Sequence, residues 1–132
     1  MTHVSKNSLD VETEKKLKTQ FAQFFSKQTP KEIENLFSEL LTPSEQIMLI
    51  KRLAVVIMLL KNESTYSIPK ALQLSVSTVR EIKTRYKLGK FDYLVDRYKD
   101  KSFNASAFLQ ILETLLNAGM PSLGKDRWKS LR

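Results

Sequence analysis

The chain has no cysteine, and its 132 residues include only three glycines, four prolines, one histidine and one tryptophan. Without cysteine there is neither a disulfide framework nor a thiolate zinc site. The single histidine, His3, stands next to the N-terminus, so no histidine metal cluster or histidine-based catalytic pair can be assembled. Glycine is too scarce for a loop that cradles phosphates. The most apolar run, Leu53–Leu60, falls far short of the roughly 20 residues that a membrane span needs. The first residues also lack the apolar segment of a secretory leader. These absences speak against an enzyme, a cofactor and a membrane span, and the expectation is a cytoplasmic, soluble protein.

What is present is positive charge, unevenly placed. The formal net charge is +8. Residues 1–50 hold six Lys and Arg against seven Asp and Glu, whereas residues 51–101 hold twelve against five. The basic excess therefore falls in one region, the footprint expected of a surface that meets phosphates.

No alternating apolar pattern persists, and helix-forming residues dominate, so the fold class is all-α. A first helix is predicted from about Leu9 to Lys27, with Leu17, Phe21, Phe24 and Phe25 as its apolar face. Thr29-Pro30 opens a second helix, with Glu32 placed to complete a capping box. Its stripe is Ile33, Leu36, Phe37, Leu40 and Leu41. Thr42-Pro43-Ser44-Glu45 repeats that start signal for a third helix reaching about Lys61, ended by Asn62. Its apolar residues surround the helix between Leu53 and Leu60, which predicts burial on all sides, either by a partner subunit or by the N-terminal helices. A later helix, about 91–99, carries Tyr93, Leu94 and Tyr98. Asn104 caps a final helix to about Ala118, with Phe108, Leu109, Ile111, Leu112, Leu115 and Leu116 as its apolar side. The basic tail Lys125–Arg132, with Trp128, reads as a solvated end or as an arm that adds phosphate contacts.

The most informative window is SIPKALQLSVSTVREIKTRYKLGK, residues 67–90. Two short helices joined by a tight turn fit it, with Ser75 as the N-cap of the second. Val79, Ile82 and Tyr86 make the buried stripe of that second helix. Its other faces carry Ser77, Thr78, Arg80, Glu81, Lys83, Thr84, Arg85 and Lys87, with Lys90 beyond. Such a helix suits a DNA major groove. In that reading Ser75, Ser77 and Lys83 anchor phosphates, with Arg85, Lys87 and Lys90 on the flank. Arg80 makes a bidentate contact with guanine, and Thr78 and Thr84 touch a thymine methyl or a base edge. Glu81 either accepts from a cytosine amino group or orients Arg85 as its i,i+4 partner.

Residues 36–98 resemble the Trp repressor family, on three signatures: LTPSE at 41–45, KRL at 51–53 and LSVSTV at 74–79. The likeness looks closest to the YerC/YecD-like branch. It implies a Trp-repressor-like helical bundle, an intertwined homodimer on double-stranded DNA, and a helix-turn-helix at about 67–88 whose contacts come from Ser75–Thr84. With the helix pattern around it, the expected organisation is a Trp-repressor-like helical DNA-binding domain over residues 1–101 and a helical C-terminal extension with a basic tail over residues 102–132. The family's tryptophan site takes a Thr and an Arg from the long helix, here Thr42 and Arg52, and an Arg-Gly pair from the recognition helix. Glu81 and Ile82 occupy the latter two positions, which argues against tryptophan as effector. Thr42 and Arg52 are then read as a helix cap and an ion-pair partner. Gln73 stands where the turn usually carries Gly, and Pro69 where a small residue is usual. Two other readings remain open on the sequence: a protein-interaction bundle such as an adaptor or an antitoxin-like partner, and an architectural protein that binds DNA without sequence preference.

Overall fold

A computed structural model describes residues 8–100 and 103–117. The described residues form seven helices and no strand: α1 (Ser8–Phe24), α2 (Pro30–Leu40), α3 (Pro43–Leu60), α4 (Ser67–Leu72), α5 (Val76–Lys87), α6 (Asp92–Asp100) and α7 (Ala105–Leu116). They divide into two compact units, residues 1–46 and 47–132. The tail 125–132 with Trp128, and the predicted end of α7 at Ala118, lie outside the described residues.

In the first unit the Thr-Pro-x-Glu signal works as expected, twice. Thr29 Oγ1 accepts the Glu32 N–H at 3.2 Å while the Glu32 carboxylate accepts the Thr29 N–H at 3.0 Å. Thr42 and Glu45 repeat the exchange at 3.2 and 2.8 Å. Each box satisfies two backbone donors at a helix start, and Pro30 removes another that would have no acceptor. The backbone N–H of each threonine, and secondarily its hydroxyl, holds the carboxyls of Glu32 and Glu45 below their ordinary 4.5. A lowered folded-state value stabilises the fold above the unfolded value, and that stabilisation is lost as pH falls through the folded one. An NMR titration should therefore show both carboxyls protonating below 4.5, with the Thr29 and Thr42 amide shifts following the same curves. Carboxyls that titrate at ordinary values would remove both boxes from solution.

Phe25 joins the end of α1 to α2: its ring meets Phe21 at 5.0 Å, Phe24 at 5.6 Å and Phe37 at 5.8 Å, all edge-on. The predicted stripe of α2 exists in its periodicity, yet no residue of α2 is buried. Leu40 is 58% exposed, and Phe21 and Phe24 exceed 60%.

The second unit holds the core. Ala54, Val55, Val56, Ile57, Met58 and Leu59 are all buried, so α3 is enclosed around its circumference as expected. The cover comes from the same unit: Ile68, Ala71 and Leu72 of α4, Val79 and Ile82 of α5, and Ala105, Leu109 and Leu112 of α7 belong to one cluster with them. The buried run of α3 therefore gives no sign of a partner subunit. Asn62, at φ 63°, ends α3 in the left-handed conformation, with Glu63 N–H bonded back to the Met58 carbonyl at 2.9 Å. Only the inner side of α7 is buried, and Ile111 and Leu115 are 70% and 55% exposed.

Candidate nucleic-acid interface

α4 and α5 are joined by Gln73, Leu74 and Ser75. Pro69, at the third position of α4, has no N–H to lose to the ladder, because the first four donors of a helix lack intrahelical acceptors. Gln73 closes α4 in the left-handed conformation, with φ 53° and ψ 52°. The turn thus keeps a glycine-like backbone with a side chain in place. Leu74 N–H bonds to the Pro69 carbonyl at 3.0 Å, and α5 begins two residues later.

Ser75 is the N-cap, accepting the Thr78 N–H at 3.1 Å. Its hydroxyl also donates to Thr78 Oγ1 at 2.8 Å and lies 3.1 Å from Ser77 Oγ. A phosphate contact by Ser75 would have to compete with this local network, so its first role is structural. Ser77 is also exposed and its hydroxyl has only the contact with Ser75 to give up, so it is the freer of the two.

Val79 and Ile82 are fully buried, and Tyr86 packs against the same cluster. Helical periodicity then puts Ser77, Arg80, Glu81 and Thr84 on the side away from the core, and all four are exposed. Thr84 spends its hydroxyl proton on the Arg80 carbonyl at 2.9 Å, keeping a methyl and an acceptor oxygen. Thr78 and Lys83 are half-buried on the flanks, whereas Lys87 is exposed. Arg85 does not pair with Glu81. Its guanidinium lies over the Phe91 ring at 4.9 Å, an attraction worth about 0.5–1 kcal/mol at an exposed site. The i,i+4 pair expected from the sequence gives way because Phe91 offers a flat, half-buried partner that only the folded chain brings close.

The end of α5 is fixed by its backbone. Gly89, at φ 77°, sends its N–H to the Tyr86 carbonyl at 3.1 Å, and Lys90 N–H reaches the Arg85 carbonyl at 3.0 Å. This pair of bonds closes the helix and sets Lys90 directly beyond it. A side chain at Gly89 would be strained at that φ and would meet Asp92 Oδ2 at 3.0 Å.

Two residues of this surface were not anticipated. Lys70 and Tyr66 line a cleft of about 500 Å³ together with Arg80, Val76 and Leu74. Tyr66 is 91% exposed. The signal for Lys70 is its place in the sequence as the one cation among Ile68, Ala71 and Leu72; the structure buries those three and leaves Lys70 facing outward.

A family model described as Trp repressor protein matches residues 15–95. The chain belongs to the Trp repressor family. This family consists of helix-turn-helix DNA-binding transcription regulators, and the all-α fold with α4 and α5 as the motif agrees with it. No curated protein and no solved structure matches the chain. Among the residues that the resemblance ties to tryptophan in other Trp repressor family members, Thr42 is the cap of α3 and Ile82 is a core residue, 2% exposed. Arg52 and Glu81 are exposed, and Arg52 makes no ion pair among the described residues. The cap expected of Thr42 is present, whereas the ion pair expected of Arg52 does not form among the described residues. Helix α7 begins beyond the matched residues.

Proposed function

We propose that this protein is a sequence-specific regulator that binds double-stranded DNA as a homodimer and does not take tryptophan as effector. The observation that carries the reading is the outward face of α5, where Ser77, Arg80, Glu81 and Thr84 stand exposed on a helix anchored by Val79 and Ile82. Arg80 reads a guanine, Thr84 and Thr78 meet a thymine methyl or a base edge, and Glu81 accepts from a cytosine amino group. Lys83, Lys87 and Lys90 contact phosphates, with Lys70 from α4, and Ser77 assists. Arg85 acts mainly by holding the segment that follows α5. No enzymatic step is needed.

Two observations support the rest. Ile82 fills the core where tryptophan-responsive members have Gly, and Glu81 puts an anion beside it, so an indole would meet both a side chain and an unfavourable charge. Exposed Leu17, Phe21, Phe24 and Leu40 offer the apolar surface that a second copy would cover. In this reading residues 1–101 are the DNA-binding domain and 102–132 an extension.

Selection from a pool of randomised duplexes at about 150 mM salt tests the proposal. The expected product is a two-fold-symmetric site with half-sites about one helical turn apart. Retention of DNA without enrichment would replace it with an architectural protein. Failure to retain any duplex at low salt would point to a protein-interaction bundle.

A further inference from the structure

Gln73 is bound on both sides of the turn it occupies. Its carbonyl accepts from Lys51 Nζ of α3 at 3.3 Å. Its side-chain amide donates to the Leu116 carbonyl of α7 at 2.7 Å and lies 3.4 Å from Asn117 Oδ1. Leu116 is in the last turn of α7, whose carbonyls have no partner within the helix. The residue that breaks α4 from α5 therefore also caps the C-terminus of α7.

α7 is built into the motif as well as tied to it. It packs on α4, and Ala105, Leu109 and Leu112 share a cluster with Ile68, Leu72, Val79 and Ile82. Gln73 pays for its left-handed backbone with this bond: at φ 53° glycine would sit without strain but would bring no donor. The backbone geometry at Gln73 sets the direction in which α5 leaves α4, and hence where Arg80 and Lys70 point together.

We infer that α7 is a brace for the helix-turn-helix and that Gln73 is the positioning residue through which it acts. This rests on the DNA-binding reading. Holding α7 holds the turn, and the turn holds α5 in the orientation that binds. Coupling of this kind is reciprocal, so bound DNA should protect the last turn of α7 from amide exchange.

Two variants of the full chain test it, Gln73→Gly and Gln73→Glu. The first relieves the backbone and removes the donor; the second keeps the length and replaces the donor with an acceptor. Amide exchange is read at Leu115, Leu116 and Asn117 in free protein, alongside affinity for the selected duplex. Both variants should exchange faster there and bind about five- to tenfold more weakly, with Gln73→Gly melting no lower than the parent protein. A purely structural role would predict that Gln73→Gly, freed of strain, binds as well as the parent, and that result overturns the inference. Unchanged exchange in both variants does so too. Faster exchange with no duplex bound even by the parent protein would refute the DNA reading and the brace's purpose with it, leaving Gln73 as a helix cap alone.

Discussion

Affinity for the selected duplex should fall about ten-thousandfold between about 50 and 200 mM salt. Lys70 of α4, with Lys83, Lys87 and Lys90 on or directly beyond α5, would in a dimer neutralise about eight phosphates. Each neutralised phosphate adds about −0.9 to the slope of log affinity against log salt, which gives a slope near −7. Lys87→Gln, a change at an exposed side chain, should flatten that slope by about two in the dimer while leaving sequence preference intact. A nearly flat slope for the unaltered protein would mean that its basic face meets no nucleic acid. Because the basic excess lies in residues 51–101, the same titration on a chain altered elsewhere should keep the steep slope.

Arg80→Ala should abolish preference at one base pair of each half-site and leave non-specific binding little changed. A good bidentate contact contributes about 1–3 kcal/mol of discrimination, or about 5- to 150-fold per base pair. Arg80 suits this role because its side chain is exposed and makes no ion pair among the described residues, while its carbonyl is held by Thr84. Arg80→Lys separates readout from charge. A lysine keeps the cation but lacks the planar fork, so preference should weaken while the salt slope stays the same. If Arg80→Lys preserved the full preference, Arg80 would be a phosphate contact and another residue would read the base.

The features that could be read in the sequence are those a few neighbouring residues decide. The boxes at Thr29 and Thr42, the caps at Ser75 and Asn104 and the left-handed Asn62 all depend on spacings of three or four residues. The buried stripe of α5 is of the same kind, and it was enough to set which of the site residues face outward. Helix ends differ by a few residues, as with α1, which stops at Phe24 rather than near Lys27.

The features that escaped are those that depend on which elements meet. Periodicity marks Leu40 and Ile111 as apolar-face residues but cannot say that both faces stay open. The cover of α3 comes from α4, α5 and α7, and the last of these begins more than 40 residues after α3 ends. Phe91 diverts Arg85 from Glu81 for the same reason. Gln73 reads as a misfit in the turn until α7, more than 40 residues on, supplies the carbonyl that it binds.

The open rings of Phe21 and Phe24, with Leu17 and Leu40, carry a consequence for dosage. If a second copy must cover them before DNA is held, folding, pairing and occupancy become a single mass-action chain. While most copies are monomeric and coverage is low, the occupied fraction of an operator would then follow the square of the protein's copy number, so doubling the supply raises it about fourfold. A regulator of this kind would respond to its own abundance as sharply as others respond to a small-molecule signal.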